Sequence, residues 1–118
     1  MGKQKMEHTI AQKSFQFAVR IVKLYRHLVH SRKEYTLSKQ LLRCGTSIGA
    51  NVAEAQQAQS RADFVAKLNI ALKEAAETDY WLRLMCATET LSETEFESIV
   101  KDCKELEKML TAIIKSSK

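Results

Sequence analysis

The chain has 118 residues, a net charge of +5 and a hydrophobic content of 45%, enough for one compact core and too short for two ordinary domains. Proline is absent and glycine occurs only three times, which describes an all-helical chain with few breakers. Cys44, Cys86 and Cys103 form no C-x-x-C pair, arguing against a disulfide framework or a zinc site, and no apolar leader or membrane-length apolar window is visible, so a cytoplasmic protein without membrane contact is expected.

The first helix is predicted over about residues 9–31. Phe15, Ala18, Ile21, Val22, Tyr25, Leu28 and Val29 cover close to half its circumference, a wider arc than packing on one side requires. The opposite strip is basic, and it belongs to a basic half of the chain. Residues 1–59 hold ten Lys or Arg against three acids, whereas residues 60–118 hold nine against eleven. Such asymmetry points to an anionic partner or to the surface where the two halves meet. Lys13, Arg20, Lys23, Arg26 and His27 are the candidate nucleic-acid contacts, set against the plainer reading of a solvated helix face.

A second helix is predicted over about residues 36–56, with Thr36 as its N-cap. Leu37, Leu41, Cys44, Ile48, Val52 and Ala55 recur at spacings of four and three, a coiled-coil-like seam. Gly45 and Gly49 interrupt good helix formers, each costing about 0.8–1 kcal/mol relative to alanine. They are read as points where a neighbouring helix approaches closely. A phosphate-binding loop is disfavoured because the heptad continues through them and no strand precedes them. On the other flank lie Arg43, Ser47, Asn51 and Glu54.

Ser60 with Asp63 opens a third helix over about residues 60–88. One stripe contains Phe64, Leu68, Ala71, Ala75, Leu82 and Cys86; a second contains Ala66, Ile70, Trp81, Leu84 and Met85. A helix apolar on two faces is covered on two sides. Folding helices two and three together places Arg43 opposite Glu74 and Glu54 opposite residues 61–63. A structural network is therefore expected in which Arg43 bridges to Glu74 or Glu77, with Ser47 and Asn51 completing hydrogen bonds at a junction between helices or subunits. Ser92 and Glu95 form a capping box for a fourth helix over about residues 92–116, seamed by Phe96, Ile99, Cys103, Leu106, Leu110 and Ile113.

Four such helices with short links make an antiparallel up-down-up-down four-helix bundle. Its surplus apolar surface on helices one and three implies a homo-oligomer with those helices near the seams. No enzyme is expected. His27 and His30 lack the Glu-x-x-His pairs of a di-iron bundle, Glu74 and Glu77 have no nucleophile or relay beside them, and Cys44 and Cys103 read as core filler. Trp81 and Tyr80 can stack a base, although Trp81 fits an interface anchor better. No metal and no cofactor are expected.

The segment LSKQLLRCGTSIGANVAEAQQAQSRADFVAKLNIALKEAAETDYWLRLM resembles the four-helix-bundle proteins of the 23S rRNA intervening-sequence family, also called S23-like. The family pattern is carried by Gln40, Leu41, Arg43, Ser47, Ile48, Asn51, Val52, Ala53 and Glu54, then Phe64, Leu68, Ile70, Ala71, Glu74, Glu77, Thr78, Tyr80, Trp81 and Leu82. One departure is Ala55 where the family often has glycine, which predicts a second helix running further before it turns. The resemblance implies a ring-like homopentamer around a central channel and hands over no enzyme. A related accessory protein of diversity-generating retroelements binds nucleic acid and a reverse transcriptase, an analogy at fold level. Two functions are carried forward: an oligomeric scaffold associated with RNA or DNA, and a protein-interaction adaptor with no direct nucleic-acid binding.

Overall fold

The computed structural model describes residues 2–117, without the side chains of residues 2–4 and 6. Four helices follow one another: α1 (Gly2–Arg32), α2 (Leu37–Ala55), α3 (Arg61–Ala87) and α4 (Glu93–Ser116). They form a bundle measuring 43 × 21 × 18 Å. Each helix packs along its two neighbours in the order α1, α2, α3, α4 and back to α1, and all four pairs are antiparallel. The registers show this: Ile21 lies against Gly45 and Ser14 against Gly49, Arg43 reaches Glu74 while Glu54 reaches Lys67, the Cys103 thiol donates to the Ala75 carbonyl at 3.3 Å, and Lys13 meets Glu105.

The heptads of α2 and α4 become the core. Leu41, Cys44, Ile48, Val52 and Ala55 are buried, as are Ile99, Cys103, Leu106, Leu110 and Ile113, while Leu37 and Phe96 lie half-buried at the helix starts. α1 departs from expectation. Its core stripe is Ile10, Ser14, Phe17, Ile21 and Leu28, whereas Phe15 is 69% exposed. Of the predicted arc, Ile21 and Leu28 are buried, Ala18, Val22, Tyr25 and Val29 are half-buried and Phe15 is exposed, while Phe17, outside that arc, is a core residue. α3 divides as well: Leu68, Ala71, Ala75, Leu82 and also Met85 are buried, but Ala66 and Ile70 are exposed.

The links correct several expectations about helix ends. α1 begins at Gly2, about two turns earlier than its apolar pattern suggests; the Lys, Gln, Met and Glu of that segment are good helix formers without a core stripe. Thr36 does not cap α2, because its backbone is already helical and its side chain accepts nothing. Glu34 takes that role: its carboxylate accepts from the backbone N–H groups of Thr36, Leu37 and Ser38 at 3.2, 3.0 and 2.7 Å. Burial alone would raise the Glu34 pKa, but the three N–H donors outweigh it and hold it below the ordinary value. α2 stops at Ala55 and does not run on.

α1 and α3 are each followed by a residue in the left-handed region, Lys33 at φ 56° and Glu89 at φ 62°, where glycine is usual. Beyond Glu89, the Thr90 N–H turns back to the Met85 carbonyl at 2.8 Å. Ser60 caps α3 by accepting from the Asp63 N–H at 3.0 Å. Ser92 and Glu95 form a reciprocal capping box on α4.

Candidate nucleic-acid interface

α1 carries the basic strip, and α4 lies along one side of it. Lys13 pairs with Glu105 at 2.9 Å, and Arg20 pairs with Asp102 at 2.6 Å while also donating to the Ser98 hydroxyl at 2.8 Å. Arg32 grips both oxygens of Glu95 at 2.9 and 2.8 Å, and His27 sits 4.0 Å from the same carboxylate. Of the five residues suggested by sequence, Lys13, Arg20 and His27 therefore face acids of α4. Lys23 and Arg26 are exposed and make no ion pair among the described residues. Sequence could not reveal this split, because nothing in α1 says which flank α4 will cover.

The Arg32–Glu95 contact is bidentate. Arg32 and the Ser92 backbone N–H together hold the Glu95 carboxyl at a pKa of about 2, since both bind its ionised form. Glu95 thus fastens the end of α1 while capping the start of α4.

The outer surface of α1 is apolar beside its cations. Phe15, Ala18, Val19 and Val22 line a shallow depression of about 280 Å³ that ends at Lys23 and Arg26. α3 presents a second exposed apolar surface, with Ile70 42% and Tyr80 51% exposed. Trp81 stands half-buried next to Tyr80, ring centroids 5.3 Å apart at 77°.

The network on the polar flank of α2 joins α2 to α3. Arg43 contacts Glu74 at 3.4 Å and Glu77 more closely, and the Trp81 indole N–H donates to Glu77 at 3.1 Å. One guanidinium serves two carboxylates. Ser47 and Asn51 do not extend this network across the helices: the Ser47 hydroxyl donates to the Arg43 carbonyl at 2.7 Å and the Asn51 amide to the Ser47 carbonyl at 2.8 Å. Short polar side chains in a helix find the carbonyl one turn back before they find a neighbour. Glu54 pairs with Lys67 at 3.2 Å, about one turn beyond the expected residues 61–63, because the turn after α2 uses up chain length.

Gly45 and Gly49 face α1. A Cβ on Gly45 would stand 2.8 Å from Cγ1 of buried Ile21, and one on Gly49 would stand 3.1 Å from the Ser14 backbone oxygen. These glycines let α1 and α2 approach at van der Waals distance.

Burial pushes the thiols of Cys44 and Cys103 above their ordinary pKa, which disfavours the nucleophilic thiolate. No cluster of three or more His, Cys, Asp or Glu able to hold a metal occurs among the described residues. Among the same residues, no helix is long and apolar enough to cross a membrane.

Comparison with known proteins places this architecture. No curated protein matches the chain. A crystal structure of a protein with unknown function from the S23 ribosomal protein family of Bacteroides thetaiotaomicron is similar over 93% of this chain and 98% of that one, with 57% identity and a TM-score of 0.92. The model of the family described as 23S rRNA-intervening sequence protein matches residues 6–112. With the family pattern spanning nearly the whole bundle, the chain belongs to the 23S rRNA-intervening sequence protein family.

Proposed function

We propose that the protein is a non-enzymatic scaffold that assembles with copies of itself, as a ring of five in the arrangement implied by the family, and associates with RNA in the cytoplasm. The observation that carries this reading is the outer surface of α1, where exposed Phe15 and Val19 adjoin exposed Lys23 and Arg26. An apolar surface of that kind is suited to a protein contact. The cations beside it, repeated in each copy, build a field that attracts polyanions. Buried, protonated thiols and ion pairs already closed between helices support a binding role over a catalytic one.

The decisive experiment combines light scattering with a fluorescence-polarisation titration against RNA and DNA at low salt. An oligomer that binds RNA, with affinity falling steeply as salt rises, is expected. A monomeric particle would overturn the scaffold, and absence of RNA binding would overturn the nucleic-acid role. The exposed Ile70 and Tyr80 on α3 favour a second reading, an adaptor that recruits another protein. A partner protein that stays bound after nuclease treatment, with no direct RNA binding, would decide for it.

A further inference from the structure

We propose that RNA is held by the second half of α1 and the link that follows it, through Lys23, Arg26, His30 and Lys33 with Lys39 at the start of α2, and not by Lys13 or Arg20. The site rests on the RNA-binding role above and names where that role is carried out. Its basis is which positive charges remain after the bundle has closed. The carboxylates of α4 take up Lys13, Arg20 and Arg32. Lys23, Arg26, Lys33 and Lys39, with His30 among them, are exposed and form no ion pair among the described residues; Lys73, Lys101, Lys108 and Lys115 are likewise exposed and unpaired but lie in the acidic half of the chain.

On α1 the spacing makes one surface. Positions 23, 26 and 30 follow the three-four step that keeps side chains on one helix face, and Lys33 stands just past the helix end. From Lys23 to the helix end at Arg32 the rise is about 14 Å, long enough to follow a few nucleotides of a strand.

The nearby acids are turned elsewhere. Between residues 8 and 53 the only carboxylate is Glu34, which is bound to the first N–H groups of α2. Glu89 and Glu93 share a cleft with Arg32 and Cys86 on the α4 side, and Glu95 is held by Arg32. Tyr35, 56% exposed in the link, adds an aromatic face on which a base can stack. Backbone phosphates along a single RNA strand match this row of cations followed by a ring.

The test compares two variants of the full chain in polarisation titrations with a single-stranded RNA across a salt series. Lys23→Gln/Arg26→Gln/Lys33→Gln is expected to weaken binding about tenfold or more at low salt and to make the slope of log K against log salt shallower by roughly 2. Lys13→Gln/Arg20→Gln is expected to leave both nearly unchanged. Light scattering monitors assembly; because Lys23 and Arg26 border the apolar depression, Lys33→Gln/Lys39→Gln serves as a second variant remote from it and is expected to lose several-fold. If wild type binds RNA but these site variants bind as tightly, or the Lys13/Arg20 variant loses as much, the site is wrong while the RNA role stands. If wild type binds no RNA, the role itself fails and takes the site with it. Binding to anionic vesicles in place of RNA would overturn both.

Discussion

α1 has two seams held by opposite means. Toward α2 it is joined by shape, with Gly45 and Gly49 set against Ile21 and Ser14. Toward α4 it is joined by charge, through Lys13–Glu105, Arg20–Asp102 and Arg32–Glu95. The first leaves no room for a methyl group and contains no charge to screen. The second uses long, half-exposed side chains that tolerate change but depend on salt and pH. Stability in this bundle therefore responds to different perturbations on the two sides of one helix.

Filling the glycine seam is expected to have the largest effect. Gly45→Leu should cost about 2 kcal/mol in urea denaturation, overpacking of about 3 kcal/mol being partly offset by about 1 kcal/mol of helix propensity. Combining it with Ile21→Ala should give a loss smaller than the sum of the two, because the second change removes the atoms in the way. A Gly45→Leu protein as stable as wild type would dissolve the distinction between the seams.

The Arg32–Glu95 node comes next. Glu95→Gln removes the ion pair while leaving an amide oxygen that can still accept from the Ser92 N–H, and should cost about 1–2 kcal/mol near pH 7. The folded pKa of Glu95 is lowered from 4.5 to about 2, so its contribution is complete above the unfolded value and disappears as pH falls from there toward 2. Urea midpoints recorded from pH 6 to pH 2 should converge for wild type and variant at the acid end. A constant gap across that range would show that the ionised carboxylate is not responsible.

The exposed pairs should matter least. Lys13→Gln/Arg20→Gln is expected to cost about 1 kcal/mol or less at low salt. At about 1 M salt, where the screening length is about 3 Å, this difference should shrink while that of Gly45→Leu persists. A salt response of equal size in both variants would mean that charge also governs the glycine seam.

What the sequence disclosed follows from how local each signal is. The seams of α2 and α4 were legible because a single apolar stripe has one interpretation: Leu41, Ile48, Leu106 and Leu110 go inside. α1 was harder, since Phe15 lies within the wide apolar arc and Phe17, two residues on, outside it, and periodicity alone does not say which ring faces the core. The α2–α3 link brings Arg43 to Glu74 as the sequence suggests, but residues spent on the turn shift the partner of Glu54 from residues 61–63 to Lys67.

The capping role of Glu34 is not legible in the sequence because Thr36 is the more usual capping residue, and a glutamate reaching forward from the link leaves no distinctive spacing. The candidate RNA contacts were the least legible part. Lys13 and Lys23 are alike in sequence, and only the position of α4 tells a charge that is already used from one that is available.

The seam between α1 and α4 also bears on the order in which the protein can form. Its ion pairs join residues 63, 82 and 92 positions apart, so closing it requires nearly the whole chain to be looped back on itself. The α1–α2 hairpin, by contrast, needs only its own few linking residues. On a chain emerging from the N-terminal end, Lys13, Arg20 and Arg32 are uncompensated by their α4 partners until α4 arrives. The last helix to be made is thus the one that neutralises the first, and a nascent chain lacking α4 is a stronger polycation than the finished protein.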